Sequence, residues 1–135
     1  FHARGMEFGA TTGRPRRCGW LDMVLIRYAC MVNGVTDLAV TILDGLDERE
    51  NIKICVAYDI DGNRHDFPPA NRHAWDKAQP IYEELPGWMV DTTSARSWND
   101  LPENARAYLT RLGELAGAPV TYVGNGPERE QTIVV

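Results

Sequence analysis

The sequence predicts an α/β fold in which a mixed sheet is flanked by helices. Three observations carry this. Short runs rich in β-branched and aliphatic residues, at Val35–Leu43, Ile52–Ile60 and Val120–Val123, read as strands. Longer apolar-periodic runs between them read as helices. Turn signals such as Asn33-Gly34, Asp61-Gly62-Asn63 and Pro68-Pro69 separate the two kinds. Strands alternating with helices are the pattern of an α/β layer.

Taken in order, Trp20–Val32 is apolar on nearly every face and predicts a buried helix, started near Asp22 and stopped by Asn33-Gly34. Val35–Leu43 follows as a strand. Asp44–Asn51 is acidic and predicts a turn with a short helical piece. Ile52–Ile60 is apolar enough for a central strand. Asp61-Gly62-Asn63 predicts a hairpin into a short strand near Arg64–Phe67. Asn71–Ala78 reads as a short helix, and Pro80–Leu85 as a strand with Pro80 at an edge or start. Trp88–Trp98 is polar and irregular. Pro102 marks the first turn of a helix with Asp100 as cap; its apolar face is Ala105, Tyr108, Leu109, Leu112 and Leu115, and Gly117 ends it. Val120–Val123 and Gln131–Val135 are strands around the Gly124-Asn125-Gly126-Pro127 turn. There is no internal repeat and no clear domain boundary.

Composition bounds the function. The chain has 135 residues, enough for one modest domain, with 44% hydrophobic and 24% charged residues, so it reads as globular. A net charge of −5 argues against a nucleic-acid binder. The charge is uneven: residues 1–17 hold Arg4, Arg14, Arg16 and Arg17 against Glu7, +3 by count, leaving −8 elsewhere. A cationic loop on an acidic body suits a small anion better than a polyanion. Cys18, Cys30 and Cys55 show neither paired zinc spacing nor an even disulfide count, which fits a reducing cytoplasm. The apolar run Met23–Val32 is interrupted by Arg27 and is too short to span a bilayer. The chain opens on Phe1 rather than Met, inside a motif-rich region, which reads as the C-terminal fragment of a longer protein.

The basic loop is the main candidate site. In Phe8-Gly9-Ala10-Thr11-Thr12-Gly13-Arg14-Pro15-Arg16-Arg17, two hydroxyls sit beside three guanidiniums. Backbone N–H groups, hydroxyls and forked guanidiniums together suit carboxylates or phosphates. It is not a Walker loop, because the Gly-Lys-Ser/Thr ending is missing. A solvated basic loop or a nucleic-acid contact is the plainer alternative. His2, His65 and His73 lack ligand spacing, and no Asp-x-Asp-x-Asp-Gly calcium pattern occurs. Trp20, Trp75, Trp88 and Trp98 read as packing residues.

Gly9–Trp20, GATTGRPRRCGW, resembles the aspartate-binding loop of the adenylosuccinate synthetase family. IKICVAY (Ile52–Tyr58), YEELPGW (Tyr82–Trp88), DLPENARAYL (Asp100–Leu109) and GPEREQTIVV (Gly126–Val135) resemble the same family, in its order. The likeness covers nearly the whole chain. It implies the C-terminal portion of a P-loop-NTPase-like, GTP-dependent ligase fold. The implied reaction joins L-aspartate to IMP with GTP, giving adenylosuccinate, GDP and phosphate. GTP phosphorylates the IMP 6-oxygen, and the aspartate amine then displaces phosphate. The implied ligand set is IMP, L-aspartate, GTP and Mg²⁺ in a cytoplasmic homodimer, with neither nucleic acid nor membrane as partner.

Residue by residue, the resemblance implies that Ala10, Thr11, Thr12, Gly13, Arg14, Pro15 and Arg16 hold aspartate. It places Arg14 on the IMP ribose as well and turns Arg16 toward GTP, while Arg17 carries no role and reads as a surface cation. Thr41-Ile42-Leu43-Asp44 falls where the family usually reads Thr-Lys-Leu-Asp, so Asp44 is expected to accept from guanine, with Ile42 and Leu43 beside it. Ile42 replaces the lysine and removes a cation from the base. Gly124, Asn125 and Gly126 match the second guanine-contacting loop, where contacts are expected from backbone groups. No catalytic residue and no metal ligand are expected in this chain: the general base, the catalytic histidine, the phosphate-binding glycine loop and the Mg²⁺ ligands belong to the family's N-terminal half. Two alternatives stand beside this reading, a non-catalytic nucleotide-binding module and a relative with altered purine or nucleotide-donor specificity.

Overall fold

The computed structural model describes residues 7–135, so His2 and Arg4 lie outside the described residues. The strands form two mixed sheets rather than one. The first is built on β3 (Asn51–Ile60), the long central strand expected from Ile52–Ile60. β5 (Gln79–Pro86) runs antiparallel along one edge of it. The other edge is shared by β1 (Leu21–Asp22), parallel, and β4 (Asn63–His65), antiparallel. Asp61 and Gly62, with φ of 54° and 79°, make the turn into β4. Two successive left-handed residues match the right-handed twist of a hairpin. The second sheet pairs β2 (Leu38–Val40) parallel with β6 (Val120–Gly124), and β6 antiparallel with β7 (Thr132–Val134).

Helix α1 (Met23–Asn33) is capped as its sequence dictates. The Asp22 carboxylate accepts from the N–H groups of Val24 and Leu25 at 3.0 and 3.1 Å, and Gly34 closes the helix in the left-handed region. The second Asp22 oxygen accepts from the Tyr58 hydroxyl. Burial, followed by that bond, raises the Tyr58 phenol above its usual range. The helix is not buried all round. Met23, Val24 and Cys30 are buried, while Leu25, Tyr28, Met31 and Val32 are exposed. α1 packs on β3 and on α3 (Glu103–Ala116), and no described element covers its outer side.

Two further expectations are corrected. β2 has three residues, because the chain turns out of the sheet after Val40 and enters a 3₁₀ turn at Leu43–Leu46. Asp100 does not cap α3. Its carboxylate accepts from the N–H groups of Arg96 and Ser97 and from the Ser97 hydroxyl, closing the 3₁₀ turn Trp98–Asp100, and Pro102 occupies the cap position of α3. Between α1 and β5, α2 (Arg72–Lys77) is capped by Asn71, whose side chain accepts from the Ala74 N–H.

α3 buries Ala105, Tyr108, Leu109, Leu112 and Ala116, with Leu115 partly buried, so its apolar stripe is the one its periodicity predicts. One core joins both sheets: Ile52 and Ile54 of β3, Val120 and Val123 of β6 and Ile133 of β7 meet α3, Leu43 and Trp88. Cys55, Tyr58 and Ile60 form a smaller cluster with Val24. Cys30 and Cys55 are buried free thiols and Cys18 is an exposed one. No described helix is long and apolar enough to cross a membrane.

Candidate functional site

The basic loop is a tight hairpin. Phe8 and Pro15 form an antiparallel bridge; the Gly9 N–H donates to the Arg14 carbonyl and the Gly13 N–H to the Gly9 carbonyl, each at 2.8 Å. Gly13 has φ 64°, a conformation side chains rarely adopt. The Arg14 N–H faces the Thr12 hydroxyl at 3.4 Å. Ala10, Thr11 and Thr12 lie in the turn, and residues 10–20 are all exposed. Arg16 is close to Glu7, at 3.8 Å. Short local bonds therefore present hydroxyls and guanidiniums to solvent at one tip, a geometry suited to a small carboxylate.

The two other candidate turns meet at the carboxyl ends of β2 and β6. Val40 pairs with Val123, so Thr41 and Gly124 leave the parallel pair side by side. A Cβ at Gly124 would stand 3.6 Å from the Thr41 Cα, an ordinary contact. A serine there would fit without displacing backbone. Leu43 is fully buried and pins its turn in the core, and Asp44 is buried beside it. Ligands of open α/β sheets bind beyond such strand ends. Ile42 is half-exposed and has φ 61°, an outlier for a β-branched residue.

Asn125 is fully buried, and its side-chain amide donates to the carbonyls of Thr92 and Ala95. Its side chain is thus a structural pin, and groups offered to a ligand from this loop come from backbone. Gly126 has no room for a side chain: a Cβ there would lie 2.2 Å from the Gln131 Oε1. That side chain is itself fixed, accepting from the Glu128 N–H and donating to the Thr93 carbonyl.

A cavity of about 340 Å³ connects the end of the basic loop with the Asp44 turn. Arg17 and Trp20 line one side, Thr41, Ile42 and Leu43 another, and Lys53 and Tyr108 also reach it. Arg17, read from the sequence as a surface cation, is exposed and also faces this cavity. Lys53 was missed. It is ion-paired to Glu84 at 2.9 Å and projects from β3 into the space beside Ile42. Burial pushes the Tyr108 phenol up to about 12, so it stays protonated and neutral there. Asp47 and Thr92 were also missed. They are buried partners of the Asp44 turn, and their pairing across 45 residues left no local signal. His65 and His73 are exposed surface residues. No group of three or more His, Cys, Asp or Glu that could hold a metal occurs among the described residues.

Fold and site together define an α/β protein with its candidate ligand loops at strand ends and on an exposed hairpin. The family model of adenylosuccinate synthetase matches residues 1–133. Adenylosuccinate synthetase from Geotalea daltonii is 56% identical over 131 residues, covering 97% of this chain and 30% of the relative. That of Mycobacterium tuberculosis is 55% identical over 130 residues, covering 96% and 30%. The structure of fully ligated adenylosuccinate synthetase from Plasmodium falciparum superposes with a TM-score of 0.93 at 33% identity, covering 99% of this chain and 32% of that one. The chain belongs to the adenylosuccinate synthetase family, and it spans about 30% of the length of the curated relatives it matches.

Proposed function

We propose that this chain is the C-terminal, aspartate- and guanine-side portion of an adenylosuccinate synthetase. In the whole protein it serves the GTP-dependent ligation of L-aspartate to IMP, giving adenylosuccinate, GDP and phosphate. Residues 10–16 take the aspartate carboxylates, with Arg14 forming a bidentate pair and also reaching the IMP ribose. Arg16 faces GTP. Asp44 accepts from guanine N1–H and its amino group, with Ile42 and Leu43 along the base and the backbone of Gly124–Gly126 on its other side. The whole protein works in the cytoplasm as a homodimer.

The observation that carries this reading is the meeting of the Thr41–Asp44 and Gly124–Gly126 turns at the ends of one parallel strand pair. Mg²⁺, which the reaction requires of the whole protein, is proposed to be held by the N-terminal half of that protein. This chain's own part is to hold the amino-acid nucleophile and to orient the nucleotide by its base.

The test uses the whole protein. Arg14→Ala should lower kcat/KM for aspartate by about 30- to 1000-fold, the loss of a desolvated charged contact of about 2–4 kcal/mol. Arg14→Lys should recover little, because a point charge does not reproduce the fork. Unchanged aspartate kinetics in Arg14→Ala would refute the loop's role.

A second reading is favoured by one observation: the cation usually beside the base is replaced by Ile42, whose backbone is strained. On that reading the donor preference is broader than GTP. Comparable kcat/KM values for GTP, XTP and ATP in the whole protein would establish it, and a strong preference for GTP would remove it.

A further inference from the structure

The buried polar or charged residues among those described are Asp44, Asp47, Thr92 and Asn125. They are far apart in sequence, yet they form one connected series of bonds. The Asp47 N–H donates to the Asp44 carbonyl at 3.2 Å. The Asp47 carboxylate accepts from the Trp88 indole N–H at 2.7 Å, the Thr92 N–H at 2.8 Å and the Thr92 hydroxyl at 2.9 Å. The Thr92 carbonyl accepts from the Asn125 amide, which also donates to the Ala95 carbonyl at 3.1 Å. The Asn125 N–H donates to the Gln131 carbonyl at 3.0 Å. The series begins at the turn carrying Asp44 and ends between Gly124 and Gly126.

We infer that Asp47 and Thr92, acting through Asn125, are positioning residues that set the spacing of the two turns and so the choice of nucleotide base. The inference rests on the guanine reading proposed above. Its physical basis is that a carboxylate leaves water only where donors replace it. Here the donors come from the segment between β5 and the Trp98 turn, which has no sheet ladder of its own to hold it. Asp47 fixes that segment, and the segment's carbonyls fix the depth of Asn125. The parallel β2–β6 pair sets the near side of both turns at Thr41 and Gly124, and this series sets the far side. Asp47, Thr92 and the Asn125 side chain are closed off from solvent, so they act on a ligand only through the turns.

A purely architectural network would move every kinetic constant together or only the melting temperature. A positioning network moves the nucleotide constants selectively. Thr92→Val in the whole protein removes one hydroxyl and keeps the side-chain shape. Its KM for GTP should rise on the order of 10-fold while those for IMP and aspartate stay within about twofold. The preference for GTP over ITP, whose base lacks the 2-amino group, should fall roughly threefold or more, and Thr92→Ser should restore both. Should Thr92→Val give no soluble protein, Trp88→Phe, which removes the indole donor together with part of a buried ring, serves in the same comparison, read by the selectivity of the change rather than by its size. An unchanged GTP:ITP ratio, or equal rises in all three KM values, overturns the inference. A wild-type protein that does not ligate with GTP overturns instead the function on which it rests.

Discussion

At Ile42 a strained backbone coincides with the position proposed to lie along the nucleotide base. Its φ of 61° places a β-branched side chain in the left-handed region, at a cost of about 1–2 kcal/mol. The conformation persists because both neighbours are fixed. β2 ends at Val40, Leu43 is locked in the core, and the Gly45 N–H donates to the Ile42 carbonyl at 3.1 Å. Ile42→Lys relieves the branching and places a cation on an unbranched stem where the base is proposed to lie. The kcat/KM for GTP in the whole protein should rise on the order of 3- to 10-fold, with no fall in Tm. A lower kcat/KM for GTP would mean that the side chain at this position does not lie along the base. Asp44, Gly124 and Gly126 could be named as candidates from the sequence because each sits in a contiguous motif. Asp47, Thr92 and Asn125 could not be read as a unit, since bonds between residues 33 and 45 positions apart have no local pattern. Lys53 was hidden for a similar reason: alternation assigns its face of β3, but not the cavity that the face meets.

At the scale of elements, periodicity succeeded where one face alone is buried. α3 shows the stripe its sequence predicts, and β5 alternates as an edge strand with Pro80 near its start. It failed for α1, because an apolar run specifies what can be buried and not which neighbours are present to bury it. The division into two sheets was equally illegible, since register depends on partners distant in sequence. One latch between elements is testable. Arg111 of α3 holds Glu83 of β5 through two bonds, at 2.8 and 2.9 Å. The Arg111 bonds come first among the causes that hold the Glu83 carboxyl below its usual value of 4.5. A carboxyl with a depressed folded-state pKa contributes stability that is fully present above the unfolded value. That contribution disappears as pH falls through the folded one. Wild-type Tm should therefore drop below about pH 4.5 by more than that of Glu83→Gln. The pair is about a third exposed, so the difference should stay under about 1 kcal/mol. Parallel Tm curves for the two proteins from about pH 6 to about pH 3 would show that the latch contributes nothing.

At the scale of the whole molecule, the chain spans about 30% of the length of its relatives, and the role proposed for it is to hold and orient ligands while the rest of the protein carries out the chemistry. Ligation needs a group to move a proton and groups to neutralise phosphoryl charge. His65 and His73 are exposed on the surface. Asp47 is committed to its three donors, Glu83 to Arg111 and Glu84 to Lys53. No described cluster of His, Cys, Asp and Glu suits a metal. What remains is a cationic hairpin, two turns at the end of a strand pair, and an apolar outer face on α1. The purified 135-residue chain, given GTP, IMP, aspartate and Mg²⁺, should therefore form no adenylosuccinate, while the whole protein forms it under the same conditions. The measurement is the ultraviolet difference between IMP and adenylosuccinate, with chromatography of the product. GTP-dependent product from the chain alone would mean that its own residues complete the catalytic set, and the division of labour proposed between this portion and the rest of the protein would fall.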